Sequence, residues 1–278
     1  MLVYIDGLFV DEAEARVSVF DSGFQYGDGL FETMRSNSGE IFALEEHLNR
    51  LINSARLLEI KNVPEKEALS DACKNVLKVN NLADARIRLT ITRGIPNATY
   101  PTVIITAAHF TGYSKLLYEK GMSAITLFGY RFSQNPLNQV KSTSHQKLTL
   151  ARRKASAAGY DEALLINEQG YVTEGSYTNV FAVREEKIYT PPVVDGLLPG
   201  IMRDFVIKVA TQAGYSVLQR SIQVDDILRM DELFLTNSLM ELMPLVRIDK
   251  KPIGDSVPGP ITKYLMGLVG KKGIGEYS

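Results

Sequence analysis

Residues 2–10, "LVYIDGLFV", set two short β-rich runs on either side of Asp6-Gly7. A tight turn of this kind needs positive φ, so the stretch predicts a β-hairpin. Leu48, Leu51, Ile52, Ala55 and Leu58 then recur at helical spacing in "EEHLNRLINSARLLEI", and "PEKEALSDACKNVLKV" repeats the pattern behind a proline. Two amphipathic helices packed on a sheet are expected. "ARIRLTITRG" alternates strictly, with Ala85, Ile87, Leu89 and Ile91 on one face and Arg86, Arg88, Thr90 and Thr92 on the other. "TVIITAA" reads as a buried strand that follows it.

The polar stretch "HFTGYSKLLYEKG" interrupts this pattern before a second half opens with "MSAITLFGY". It predicts a domain boundary near residue 114, with a small N-terminal α/β domain over 1–114 and a larger domain over 115–278. His109 at the junction reads as structural. Further strands are expected at "EALLINEQGYV", "NVFAV" and "DELFLTN", and a helix at "PGIMRDFVIKVATQAG", with Pro at its start and Gly214 after its end. The order suggests an α+β protein without internal repeats.

Composition narrows the function classes. Among 278 residues, 31 Lys and Arg nearly balance 32 Asp and Glu, so no electrostatic field favours nucleic acid or an anionic membrane; a small molecule or another protein is the expected partner. No apolar run approaches the roughly 20 residues of a membrane helix, and "MLVYIDGLFVDEAEAR" lacks the order of a signal peptide, so the cytoplasm is expected. Cys73 stands alone in a helical pattern and reads as core.

The candidate chemistry gathers at "VKSTSHQK", residues 140–147. Thr143 followed by Gln146 fits a capping box that would start a helix close to Ser144, with Leu148, Ala151, Ala155 and Ala158 as its apolar stripe. Lys147 then lies on the flank and Lys141 just before the N-terminus, where the helix dipole disfavours an ammonium and a neutral amine can attack a carbonyl.

"FQYGDGLFETMR", "EEHLNRL", "VTEGSYTNVFAV", "IYTPPVVDGLLPGIMRDF" and "DELFLTNSLMELMPLVRI" accompany that lysine along nearly the whole chain. Together, and in this order, they resemble the class IV (fold type IV) pyridoxal-phosphate enzymes: branched-chain aminotransferases, D-amino-acid aminotransferases and aminodeoxychorismate lyases. The resemblance implies a two-domain fold of the D-amino-acid aminotransferase type with the active site at the domain interface, pyridoxal 5'-phosphate as cofactor, and a homodimer. It implies Lys141, in the larger domain, as the Schiff-base lysine and the base at the substrate's α-carbon. Glu174 matches the glutamate at the pyridine nitrogen, Arg50 the phosphate-binding arginine, and Ser238 a phosphate-side hydroxyl. The backbone N–H groups of Ile201 and Met202 form a phosphate site at a helix start, and Asn179 lies in the block beside the cofactor.

Phe31 falls where D-amino-acid aminotransferases carry a substrate-facing tyrosine and is expected to wall the substrate pocket with Leu239. Arg86 and Arg88 are candidates for the substrate carboxylates, or else form a solvent-facing polar strand face. His47 and His145 are expected to be structural, and no residues show metal-ligand spacing. The loop "TRGIPNATYPT" lacks the Arg-x-His pair of the D-amino-acid enzymes. Gln146 stands where branched-chain aminotransferases usually carry a tyrosine, whereas "PGIMR" and "NSLMELMP" resemble the lyase versions of these blocks. An aminodeoxychorismate lyase releasing 4-aminobenzoate and pyruvate for folate synthesis is therefore the leading expectation. A branched-chain-type aminotransferase is the alternative, and a paralogue that binds the cofactor without turnover a remote third.

Overall fold

The computed structural model describes residues 1–272, and the chain divides into two units, Met1–Thr111 with Val140–His145, and Gly112–Gln139 with the chain from Gln146 onward. The first unit holds β1 (Leu2–Ile5), β2 (Leu8–Asp11), α1 (Ser22–Tyr26), β3 (Gly29–Asn37), β4 (Glu40–Ile41), α2 (Leu44–Leu57), α3 (Lys66–Val79), β5 (Ala85–Thr92) and β6 (Thr102–His109). Its strands form one antiparallel sheet in the order β2-β1-β6-β5-β3-β4. Asp6 and Gly7 take φ of 47° and 96°, the backbone the hairpin turn requires.

Alternation decides the faces of this sheet. Ala85, Ile87, Leu89 and Ile91 are fully buried, and their side packs with Leu30 and Met34 of β3 against Leu48 and Leu51 of α2 and Leu69 and Val76 of α3. Arg86 and Arg88 are exposed on the opposite face. β6 alternates as well, with Val103, Ile105 and Ala107 buried between half-covered neighbours. The strand read as buried from "TVIITAA" is buried on alternate residues, because helices pack on one face of its sheet. His109 ends β6 exposed, and Cys73 lies in the core with its thiol pushed up to about 12 by burial.

The second unit holds α4 (Lys115–Lys120), β7 (Met122–Phe128), α5 (Gln146–Ala157), β8 (Glu162–Ile166), β9 (Val172–Gly175), β10 (Asn179–Arg184), β11 (Lys187–Thr190), α6 (Ile201–Gln212), β12 (Val217–Gln219), α7 (Val224–Ile227), β13 (Glu232–Asn237), β14 (Glu241–Ile248), β15 (Lys251–Pro252) and α8 (Pro260–Lys272). The sheet runs β12-β11-β10-β13-β14-β7-β8-β9, with β15 beside β14 and parallel pairs at β11/β12, β14/β7 and β7/β8. Leu164, Ile166, Val180, Leu233, Leu235, Met243 and Leu245 fill one core, and Phe181 stacks on Phe234 at 4.8 Å. No helix among the described residues is long and apolar enough to cross a membrane.

The division differs from the expected one in its treatment of residues 140–145. The sequence assigns them to the larger domain with Lys141, whereas the chain returns there to the first unit. The cause is packing: Val140 is buried in the core of the first unit, and the backbone after it pairs with the start of β3.

Candidate active site

Lys141 sits on an extended segment laid along the edge of β3. Phe31 N–H donates to the Lys141 carbonyl and Thr143 N–H to the Gly29 carbonyl, both at 2.9 Å, around a bridge between Leu30 and Ser142. Side chains alternate along such a segment, so Val140 enters the core while Lys141 is presented beside it. Its Nζ lies 4.8 Å from the centroid of the Phe31 ring, and the Arg88 guanidinium lies 3.8 Å from the same centroid. His145 meets that ring edge-on at 5.5 Å. The sequence-predicted Phe31, Arg88 and Lys141 thus form one cluster of an apolar ring with two cations.

The expected helix start does not form at Ser144. Thr143 is held by backbone pairing to Gly29, and its hydroxyl donates to the Gly27 carbonyl at 2.7 Å instead of capping a turn. α5 begins at Gln146, so residues 142–145 lie along the chain between Lys141 and its first turn. Ala151 and Ala155 are buried as expected, but Ala158 is exposed at the helix end. Lys147 is exposed with its Nζ 5.8 Å from the Phe132 ring.

On the opposite side of β3, Glu32 is buried beneath α2. Arg50 donates to it twice, Nε to Oε1 at 2.8 Å and Nη2 to Oε2 at 2.6 Å, and His47 Nδ1 lies 2.7 Å from Oε2. Burial pushes the Glu32 carboxyl up, yet Arg50 and His47 outweigh it and hold the group at about 2. Burial likewise pushes His47 down, against the pull of Glu32; the carboxylate only accepts, so the proton of this contact sits on Nδ1. Two α2 residues one turn apart thereby converge on one carboxylate, which presets the Arg50 guanidinium.

In the second unit Glu174 lies buried on β9. The Arg131 guanidinium pairs with its Oε1, and Leu198 N–H donates to Oε2 at 3.1 Å. Asn179 begins β10, and its Nδ2 donates to the Leu198 carbonyl at 2.9 Å. It therefore pins the loop that feeds α6. A Cβ on Gly200 would collide with Asn179 Oδ1, so only glycine fits where that loop becomes the helix N-cap. The N-cap Gly200 has no side chain to cap α6, whose first N–H groups, those of Ile201 and Met202, lie at the positive end of the helix dipole.

Ser238 and Leu239 occupy the turn between β13 and β14, both half-buried. Asn237 shapes that turn, its Oδ1 accepting from Leu239 N–H at 2.9 Å and Met240 N–H at 2.8 Å. Arg86 shares the exposed strand face with Arg88 but is opposite Arg35 in register, farther along β3 than Phe31. Sequence reasoning misses Glu32, Arg131 and Asn237. The "LFETMR" block quoted above contains Glu32, and the acidic residue within a β-rich run is the available signal for it.

The model of the amino-transferase class IV family matches residues 29–248. The chain belongs to the class IV aminotransferases. It is 41% identical over 273 residues to a putative branched-chain-amino-acid aminotransferase of Methanocaldococcus jannaschii, covering 95% of this chain and 94% of that one. It is 31% identical over 269 residues to a D-alanine aminotransferase of Bacillus licheniformis, with the same coverage. Among solved structures, the branched-chain amino acid aminotransferase of Escherichia coli superimposes with a TM-score of 0.90 at 27% identity, over 95% of this chain and 91% of that one. A putative 4-amino-4-deoxychorismate lyase of Legionella pneumophila gives 0.86 at 29%, over 94% and 97%.

Class IV aminotransferases use pyridoxal 5'-phosphate, and a structurally similar branched-chain amino acid aminotransferase is solved with pyridoxamine 5'-phosphate; the chain is an enzyme of that family. The groups present fit the cofactor's chemistry. Within the first unit, Lys141 is an amine and Arg50 a preset guanidinium; within the second, taken by itself, Glu174 is a buried carboxylate and Ile201 opens a helix behind a glycine. These are the donors that an aldehyde, a phosphate and a pyridine nitrogen call for.

Proposed function

We propose that the chain transfers the amino group of branched-chain-type amino acids to a dicarboxylic keto acid. The observation that carries this reading is the Phe31 ring with Arg88 at 3.8 Å and Lys141 at 4.8 Å from its centroid. An apolar wall accepts an aliphatic side chain, and the guanidinium beside it accepts the distal carboxylate when the dicarboxylate occupies the same place. The 41% identity to the Methanocaldococcus jannaschii protein supports the same choice over the lyase expected from "PGIMR" and "NSLMELMP".

When bound, pyridoxal phosphate supplies an aldehyde that condenses with amines and a ring that accepts the electrons left at the α-carbon. Lys141 would hold that aldehyde and would supply the amine that takes the proton from the substrate's α-carbon. Glu174 binds the ring nitrogen and favours its protonated form. In the first unit Arg50, kept in place by Glu32, would bind a phosphate; in the second, the Ile201 and Met202 N–H groups and the Ser238 hydroxyl would offer donors of the same kind. Phe31 in the first unit and Leu239 in the second each offer an apolar surface to a substrate side chain.

The test supplies purified, cofactor-loaded protein with leucine, isoleucine or valine and 2-oxoglutarate, and in parallel with aminodeoxychorismate. Glutamate formed from the first set, and lost in Lys141→Ala, is the expected result. Release of 4-aminobenzoate without transamination would return the assignment to the lyase, and inactivity toward both with the cofactor bound would point to the non-catalytic paralogue. Failure of Lys141→Ala to remove covalent cofactor attachment, read by borohydride trapping, would move the lysine's role to another residue.

A further inference from the structure

Arg131 has no part in the roles given above, yet it is one of the most enclosed cations of the second unit. Its side chain is 11% exposed and pairs with Glu174, itself 5% exposed. Nη1 donates to Asn138 Oδ1 at 2.9 Å, and Asn138, buried in a short helical turn, is fixed in turn by its Nδ2 donating to the Phe132 carbonyl at 2.7 Å. The third nitrogen, Nε, is buried without a hydrogen-bond partner among the described residues. A buried donor left unmatched is costly. The fold thus retains a guanidinium where a smaller donor would leave fewer groups unsatisfied, and the feature that needs it is the charge of Glu174.

We propose that Arg131 is a positioning residue that acts through Glu174: it keeps the buried carboxylate ionised and fixes its orientation, so that a proton shared with the cofactor's ring nitrogen resides on the nitrogen. The inference rests on the reading that Glu174 binds that nitrogen. A carboxylic acid against a neutral nitrogen and a carboxylate against a protonated one contain the same proton; neighbouring charge decides between them. Arg131 stabilises the carboxylate, so it favours the second arrangement. Leu198 N–H at Oε2 acts in the same direction and fixes the second oxygen. Asn138 holds the guanidinium against Glu174 through the hydrogen bond from Nη1.

The experiment is nitrogen NMR of the holoenzyme carrying cofactor labelled at its ring nitrogen, without substrate, on the unaltered protein and on Arg131→Met, Arg131→Gln and Glu174→Gln. The unaltered protein should give a signal in the protonated-pyridine range. Both Arg131 variants should move it toward the neutral-pyridine range, and Arg131→Gln, which keeps a donor for Glu174, serves if the methionine variant does not fold. A folded Arg131→Gln holoenzyme whose signal stays in the protonated range overturns the proposal. Glu174→Gln separates the two levels of the argument: if it leaves the signal unchanged, the assignment of Glu174 to the ring nitrogen is wrong, whereas a shift in Glu174→Gln with none in Arg131→Gln rejects the role of Arg131 alone.

Discussion

Arg50 and Glu32 meet through two parallel hydrogen bonds of 2.8 and 2.6 Å, from a helix to the strand beneath it, with Glu32 1% exposed. The pair fixes a guanidinium before any anion arrives, so the ordering cost of that side chain falls on folding and not on binding.

Glu32→Gln should therefore fold yet bind pyridoxal phosphate more weakly, by about tenfold, because the fork loses its charge-assisted partner. Glu32→Ala leaves a guanidinium facing a cavity and should cost about 3–5 kcal/mol of stability. Cofactor titration and denaturant unfolding of both variants check this. Lost stability with unchanged cofactor affinity would reduce the pair to a structural role.

Stability should decline with acid in two windows. Burial pushes His47 below its ordinary 6.5, so as pH falls through that value the unfolded chain takes up a proton more readily than the fold does. Glu32 sits at about 2 against an ordinary 4.5, so the stability it contributes is present above 4.5 and is lost as pH falls toward 2. That difference corresponds to roughly 3 kcal/mol. In both windows the unfolded state binds more protons, so the slopes share one sign. Unfolding midpoints measured across pH should show His47→Gln flattening the upper window and narrowing the lower one, which Arg50 then sustains alone.

The same arrangement marks the limit of the sequence reading. Periodicity places the α2 and α3 helices and the inward face of Ala85, Ile87, Leu89 and Ile91, because those patterns are local and one face is buried. The motif blocks point to Arg50 and Glu174 but not to Glu32 or Arg131 behind them, since a partner side chain across a strand or a loop leaves no fixed spacing. At Thr143 a local capping pattern loses to the carbonyl of Gly27, 116 residues away. Lys141 follows it into the first unit, a placement set by tertiary pairing that no window of the sequence contains.

Arg88→Ala should separate the two substrates of the proposed reaction. Its guanidinium lies over Phe31 on the exposed face of β5. Loss of a charge-assisted contact of about 1.5–3 kcal/mol should raise KM for glutamate about 10- to 100-fold and change that for leucine only a few-fold, with kcat little altered. Initial rates with the two amino donors check it. An equal loss with both would place Arg88 in support of Phe31 and Lys141 and not at the substrate carboxylate.

Gly200→Ala tests whether the α6 N-terminus must stay where Asn179 holds it. The added Cβ would collide with Asn179 Oδ1 and stand 3.3 Å from Arg203 Cβ, so either the amide rotates away from the Leu198 carbonyl or the first turn moves. Overpacking of this kind costs about 1–3 kcal/mol, and because the displaced groups include the Ile201 and Met202 N–H donors, cofactor affinity should fall alongside stability. Asn179→Ala removes the obstacle and one hydrogen bond, worth about 1 kcal/mol. The double variant should therefore be less impaired than the sum of the two singles, with a coupling of about 0.5–3 kcal/mol in both unfolding and cofactor titration. Strict additivity would mean that the turn yields elsewhere, and that Asn179 does not set the position of the α6 helix start.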